Sequence, residues 1–344
     1  MQNLIFVSKL SFGLIIPQGW QVDLPVDLEP REQFDVIIKM SKEAERLGYD
    51  SVWFFDHFHT APHPGKFPVF ECWTIMTALA TLTEKVRLGQ IVTCALYRNP
   101  AYLAKIGSIV DVISGGRLEF GIGACWYEHE FRAYSYRFPK YTDRVDMLEE
   151  TVEVLKKLWT EEVTNHKGQY FSLVENYNYP KPMQKPHPPI LIGGSGEKLM
   201  LKVVAKHADK WNGGWGLEEY REKLNVLKKH CESVGRDISK IQLTYTSDIV
   251  VANTKREAEE LILDWRKLQS KVLAKTVDVN MEKYQHHHIV NDPEGALESL
   301  KRIVREVKVS EFILYNPFAS NLDLMQLLYN EVVDPLKKYV EEIL

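Results

Sequence analysis

Short apolar runs alternate with longer amphipathic ones from one end of this chain to the other, and no other feature restricts the fold as tightly. The apolar runs are Phe12–Ile16, Ser51–Phe55, Val86–Val92, Leu118–Ile122, Ile190–Gly193, a weak one at Lys210–Asn212, Ile241–Val251 and Glu311–Leu314. Between them, over roughly 31–48, 70–84, 99–114, 141–160, 197–208, 217–234, 255–271 and 293–307, apolar residues recur at three and four, the spacing of a helix with one buried face. Strand followed by helix, repeated, is the pattern of a parallel sheet with helical crossovers. Eight of each fit a closed (β/α)8 TIM barrel, an α/β fold that needs about 250 residues and tolerates insertions. The 344 residues therefore leave length to spare. Two insertions are expected, 161–189, which ends in the proline-rich run Pro180–Pro189, and the polar stretch 271–292 with His286-His287-His288. The prolines exclude helix and favour an extended lead into the strand at Ile190. With no linker and no repeat, residues 1–344 read as one domain.

A chain 45% hydrophobic and 26% charged, with formal charge -4 and no basic tract, offers neither a nucleic-acid footprint nor a membrane-surface patch. Its expected partners are small molecules. Cys72, Cys94, Cys125 and Cys231 show no CxxC spacing, which argues against a zinc knuckle, a thioredoxin motif or a disulfide framework and points to a reducing cytoplasm. The apolar run in Met1–Val7 is too short for a signal segment, and nowhere do 18 apolar residues run together.

In a barrel the chemistry sits at the C-terminal rim, so the residues directly after each strand matter most. Here they are Asp56-His57-Phe58-His59, Thr93-Cys94, Gly123-Ala124-Cys125-Trp126 and Gly193-Gly194-Ser195-Gly196-Glu197-Lys198. The run Ser114–Trp126 packs glycines around both ends of a short strand, leaving bare amides where an anionic or planar ligand can approach. Gly193–Gly196 leads into a helix, a geometry that suits a phosphate and equally a plain tight turn. Asp56-His57 sets a carboxylate beside an imidazole, the side chain best suited to exchange a proton near neutral pH; the plainer reading is a turn cap and a hydrogen bond to a neighbour. His57, His59 and His63 with Glu71 or His129, and the triplet at 286–288, invite a metal reading. Consecutive histidines cannot all face one ion on a regular element, and the rest form no tight helical ligand pair, so no metal site is expected. Trp53, Trp73, Trp211, Trp215 and Tyr97 read as packing, whereas Trp126, directly after the glycines, has no place to hide in a barrel.

Taken together, Phe12–Gly19, Ser51–His57, Glu71–Thr74, Val86–Cys94, Tyr97–Pro100, Leu103–Lys105, the glycine strand, Phe138-Pro139, Pro188–Lys198 and Ala208–Asn212 resemble, in order and spacing, the bacterial luciferase-like monooxygenase superfamily. The wording Glu-Cys-Trp-Thr, then Val-Thr-Cys with Tyr-Arg-Asn-Pro downstream, is similar to its subgroup of coenzyme F420-dependent oxidoreductases. The resemblance implies a deazaflavin ring across the barrel mouth, with a non-proline cis peptide at Ile91–Val92 behind it and Thr93 alongside. By the same match Gly123, Ala124, Cys125 and Trp126 lie against ring and phosphate, and Gly193, Gly194, Ser195 and Gly196 clamp the phosphate. His57 and Asp56 are the implied catalytic pair, His57 touching ring or substrate and Asp56 holding ring or imidazole. Two departures count against a sugar-phosphate substrate: some dehydrogenases of the superfamily carry a glutamate where this chain has Trp126, and a tryptophan where it has Ala61. Glu130 is left with an open role. The expected activity is hydride transfer between F420 and a small organic substrate, its identity set by the insertions 161–189 and 271–292. The alternatives are an FMN-dependent monooxygenase using oxygen and a non-catalytic flavin-binding barrel; a homodimer is implied in each case.

Overall fold

All eight apolar runs are strands in the computed structural model, which describes residues 10–214 and 216–343. Met1–Val7 and Trp215 lie outside the described residues. The strands are β1 (Ser11–Ile15), β2 (Ser51–Phe54), β3 (Arg87–Gln90, continued by Thr93–Cys94), β4 (Leu118–Gly123), β5 (Ile190–Gly193), β6 (Lys210–Asn212), β7 (Gln242–Val251) and β8 (Glu311–Tyr315). Each pairs in parallel with its sequence neighbours, and β8 returns to β1 through Ser11↔Glu311 to Ile15↔Tyr315, closing the barrel. Right-handed crossover through an amphipathic helix is what such a parallel ring requires.

The helices follow their apolar stripes. In Pro30–Leu47, Ile37, Met40 and Ala44 are buried, proline opens the first turn, and Gly48 at φ 104° ends it in the left-handed conformation. Inside the barrel large and small residues alternate: Trp53 is fully buried, and the space beside it exists because residues 13 and 89 are glycines, whose Cβ atoms would fall 2.3 and 2.4 Å from its ring. At the N-terminal end the interior is closed by an ionic plug. Lys210 Nζ lies 2.8 Å from Glu119 and 3.0 Å from Glu311, and Arg87 pairs with Glu119 from the other side.

The two insertions fall in different places. Residues 161–189 form an antiparallel pair, Thr164–Lys167 with Ser172–Asn176, between the helix Tyr141–Thr160 and the start of β5. That is the N-terminal end of the barrel, and none of these residues lines the mouth, so their expected part in the substrate pocket is corrected. The stretch 271–292 does reach the mouth, through the helix Met281–His287 and the strand Ile289–Asn291 beside the end of β7. A short helix, Glu128–Ala133, in the connection after β4 is an additional rim element. Among the described residues no helix is long and apolar enough to cross a membrane.

Candidate active site at the barrel mouth

The register between β3 and β4 slips by one residue, from Leu88↔Leu118 to Thr93↔Ile122, so the chain bulges at 91–92, where Ile91–Val92 is a non-proline cis peptide as the resemblance implied. The bulge explains the glycines that mark the sequence. A Cβ at Gly121 would sit 1.8 Å from the Gln90 carbonyl oxygen, and at Gly123 and Gly193 it would meet the Val92 side chain at 2.7 and 2.9 Å. These glycines admit the bulged strand. The side chain they accommodate, Val92, forms part of the floor of a cavity of about 820 Å³ at the barrel mouth.

All thirteen expected site residues border that cavity: Asp56, His57, Ile91, Val92, Thr93, Gly123, Ala124, Cys125, Trp126, Gly193, Gly194, Ser195 and Gly196. Its size lies within the ~300–1,000 Å³ common for small-molecule sites, large enough for a tricyclic ring. Gly193, Gly194, Gly196, Gly213 and Gly214 also line it, and Ser195 offers a hydroxyl. The turn reaches its helix later than expected, at Met200, and the Gly194 amide is already donated to Asn212 O at 3.0 Å. Ser195 and Gly196 line the cavity beside it, and backbone amides in a glycine-rich turn of this kind can receive an anionic group.

Asp56 and His57 have separate partners. The Asp56 carboxylate accepts from Arg98 at 2.6 and 3.0 Å, Thr93 Oγ1 at 2.7 Å, the Cys94 amide at 2.9 Å and Cys72 Sγ at 3.3 Å. Burial works to raise its pKa, but Arg98 and these donors outweigh it and hold the carboxyl below the usual range. Asp56 is thus a saturated anchor that fixes the end of β3 to the β2 rim; it does not hold the imidazole. Glu130 does. His57 Nδ1 lies 3.0 Å from Glu130 Oε2, which also accepts from Tyr97 OH at 2.8 Å, while Oε1 accepts from the Phe58 and His59 amides at 2.7 and 3.2 Å. Burial opposes ionisation of Glu130, yet the hydrogen bonds from His57, Phe58 and Tyr97 bring its pKa below the ordinary value. An ionised carboxylate can only accept, so His57 carries its proton on Nδ1 and Nε2 is the nitrogen left for a ligand.

Aromatic rings fix the imidazole further. Trp20, from the connection after β1, is stacked on it at 5.3 Å and 5°, and Trp126 and Tyr127 stand edge-on at 5.7 and 5.9 Å. Trp126 is 56% exposed, whereas Trp53, Trp73, Trp211 and Tyr97 are buried, which matches the separation made from sequence. The far wall escaped sequence reasoning. Asp248 within β7 accepts from Tyr284 OH at 2.6 Å, His288 packs beside it with burial lowering its pKa, and Arg266 lies over the rings of Trp265 and Tyr284. Of the triplet, His286 and His287 instead face Glu219 on the rim at 3.9 and 3.8 Å.

One expectation fails outright: Cys94 and Cys125 form a disulfide across the cavity wall, and Cys72 and Cys231 are the free thiols. Cys94 ends β3 and Cys125 follows β4, strands that already pair through Cys94↔Gly123, a proximity that a 31-residue separation conceals. The inference from cysteine spacing to a reducing compartment loses its premise.

Comparison with known proteins agrees with this geometry. Residues 12–307 match the model of the luciferase-like monooxygenase family. An F420-dependent glucose-6-phosphate dehydrogenase of Amycolatopsis mediterranei (strain U-32) is 31% identical over 228 residues, 62% of this chain and 66% of the relative. An FMNH(2)-dependent dimethylsulfone monooxygenase of Pseudomonas putida is 24% identical over 263 residues, 75% of this chain and 68% of the relative. An F420-dependent secondary alcohol dehydrogenase, solved in complex with an F420-acetone adduct, shares the fold at TM-score 0.78 and 21% identity, covering 95% of this chain and 99% of that one. With the family model spanning the barrel from β1 to the helix before β8, the chain belongs to the luciferase-like monooxygenase family.

Proposed function

We propose that this chain is a coenzyme F420-dependent oxidoreductase acting on a small organic substrate such as a secondary alcohol or its ketone. The observation that carries the reading is the Glu130–His57 pair at the cavity wall, a proton carrier with its tautomer set, beside a glycine-backed recess of ring size. The deazaflavin, when bound, supplies a hydride donor or acceptor. The protein's part is to hold the substrate against that ring and to handle the proton. In oxidation, His57 Nε2 takes the hydroxyl proton as the carbon gives up hydride, and the imidazolium is stabilised by Glu130; in reduction the same nitrogen returns the proton. The ring would be held by Ile91, Val92, Thr93 and Gly123–Trp126, and its phosphate by Ser195 and Gly196. Trp20, Trp126 and Tyr127 pack around the imidazole and favour a substrate with an apolar face. Trp126 and Ala61 argue against a sugar phosphate.

The test is separate titration of the purified protein with F420 and with FMN, followed by a panel of alcohols, ketones and enones. F420 binding with a substrate-dependent change in its absorbance is the expected result. FMN binding with oxygen consumption supports the second reading, a flavin monooxygenase, favoured by the dimethylsulfone monooxygenase relative. Binding with no turnover across the panel supports a carrier. A homodimer and a cytoplasmic location belong to the same proposal, to be checked by light scattering and by fractionation.

A further inference from the structure

The Cys94–Cys125 bond has features that a structural staple does not need. The register Cys94↔Gly123 already brings the two strand ends together through the sheet, so the bond is not what assembles this wall. Cys125 sits at φ 63°, in the left-handed region that non-glycine residues avoid, on a loop bordered by glycine on the sequence side. Its sulfur belongs to a half-buried residue on the cavity lining, whereas Cys72 and Cys231 are buried and unbonded. The next two residues, Trp126 and Tyr127, are those whose rings stand against His57.

Resting on the reading of the cavity as the cofactor site, we propose that Cys94–Cys125 is a reversible thiol–disulfide site, reduced by small thiols that enter the cavity, and that the bonded form is the one that binds cofactor tightly. The thiolate of a small thiol attacks Cys125 Sγ; a mixed disulfide forms, the Cys94–Cys125 bond breaks, and Cys94 leaves as a thiolate that takes a proton. A second small thiol then attacks the mixed disulfide, releasing Cys125 as a thiol and the small molecule as its own disulfide. Two electrons thus pass from two thiols to the protein pair. Once free, Cys125 can leave the left-handed conformation, and the loop that carries Trp126 beyond the end of β4 loses its covalent tie to β3.

The experiment uses the full chain, purified without reductant, then treated with millimolar glutathione and afterwards with glutathione disulfide. Thiols are counted in denaturant, and binding of F420 and of FMN is followed by fluorescence polarisation. The oxidised protein is expected to show two thiols and the reduced protein four, from its four cysteines. Cofactor affinity should fall about tenfold on reduction, the cost of re-ordering one or two side chains, and recover on reoxidation. Cys94→Ser should show the reduced-form affinity and no response to glutathione, with an unchanged far-UV spectrum reporting an intact barrel. A thiol count that glutathione leaves at two, or equal cofactor affinity in the two-thiol and four-thiol forms, overturns the proposal while leaving the cofactor site standing. Failure of both F420 and FMN to bind either form overturns the cofactor reading and this proposal together.

Discussion

Glu130→Gln isolates the tautomer of His57 from its position. The carboxylate receives four hydrogen bonds, two backbone amides on Oε1 and His57 Nδ1 with Tyr97 OH on Oε2. In glutamine the carbonyl oxygen must take the Oε1 place, because two amide donors cannot face an NH2 group. The NH2 then replaces Oε2, Tyr97 OH can turn to accept, and His57 Nδ1 has to become an acceptor, which moves the ring proton to Nε2. Shape and volume are conserved, so the barrel should be undisturbed. The reacting nitrogen, however, now begins with a proton where it should have a lone pair, and the imidazolium that forms during turnover loses its counter-charge. Exchanging a charge-assisted hydrogen bond for a neutral one costs about 1–2 kcal/mol, and the inverted tautomer should add about 2 kcal/mol, so turnover should fall by about 10²–10³. The assay pairs steady-state rates with F420 affinity and 15N chemical shifts of the imidazole. We expect kcat to drop, cofactor Kd to stay within a factor of about three, and the shifts to exchange between Nδ1 and Nε2. Turnover close to wild type in a variant whose shifts have exchanged would refute the assignment of His57 as the proton carrier.

Other sites give independent tests. His57→Ala should keep cofactor binding and lose about 10² or more in turnover; unchanged turnover removes it from the mechanism. Burial raises the Asp23 pKa from 3.8 to about 6 despite hydrogen bonds from Tyr315 and Gly19. A carboxyl whose folded pKa is raised favours folding while protonated, so stability should decline by about 3 kcal/mol between pH 4 and 6, and Asp23→Asn should remove that slope from a denaturation series. Lys210→Met leaves Glu311 buried without its cation and Glu119 with Arg87 alone, and should cost about 3–5 kcal/mol by urea midpoint; a loss below about 1 kcal/mol would show that the plug is solvated. Gly121→Ala, whose Cβ would meet the Gln90 carbonyl at 1.8 Å, should fail to fold or lose more than about 3 kcal/mol, whereas Gly115→Ala, at φ 70° with nothing within 4 Å, should lose about 1 kcal/mol.

What was legible in the sequence is what repeats locally. Short apolar runs and period-3.6 stretches show each barrel strand and helix within a few residues, and the rule that a barrel works at its strand ends then finds one side of the cavity. The other residues depend on contacts that no local pattern records. Glu130 meets His57, Phe58 and Tyr97 across 73, 72 and 33 positions; Trp20 reaches His57 from the connection after β1, and Asp248 depends on Tyr284. The insertion at 161–189 was readable and misread. It follows a helix and precedes a strand, and chain direction alone places such a segment at the end of the barrel opposite the mouth.

The glycines of β4 were legible as glycines but not as to cause. A glycine-rich strand end implies that something comes close to the backbone, and a ligand is one candidate. Here the visitor to Gly121 and Gly123 is the protein itself, the Gln90 carbonyl and the Val92 side chain of the bulged neighbour. The same spacing therefore serves the site at one remove. By yielding volume inside the barrel, β4 lets β3 bulge, and the bulge carries Ile91 and Val92 to the cavity floor and Thr93 to the buried Asp56 anchor. Filling either glycine should then damage the cavity by displacing the bulged strand rather than by removing a ligand contact, which separates the two explanations: a ligand-contact glycine would weaken binding at constant stability, whereas these should lose stability and binding together.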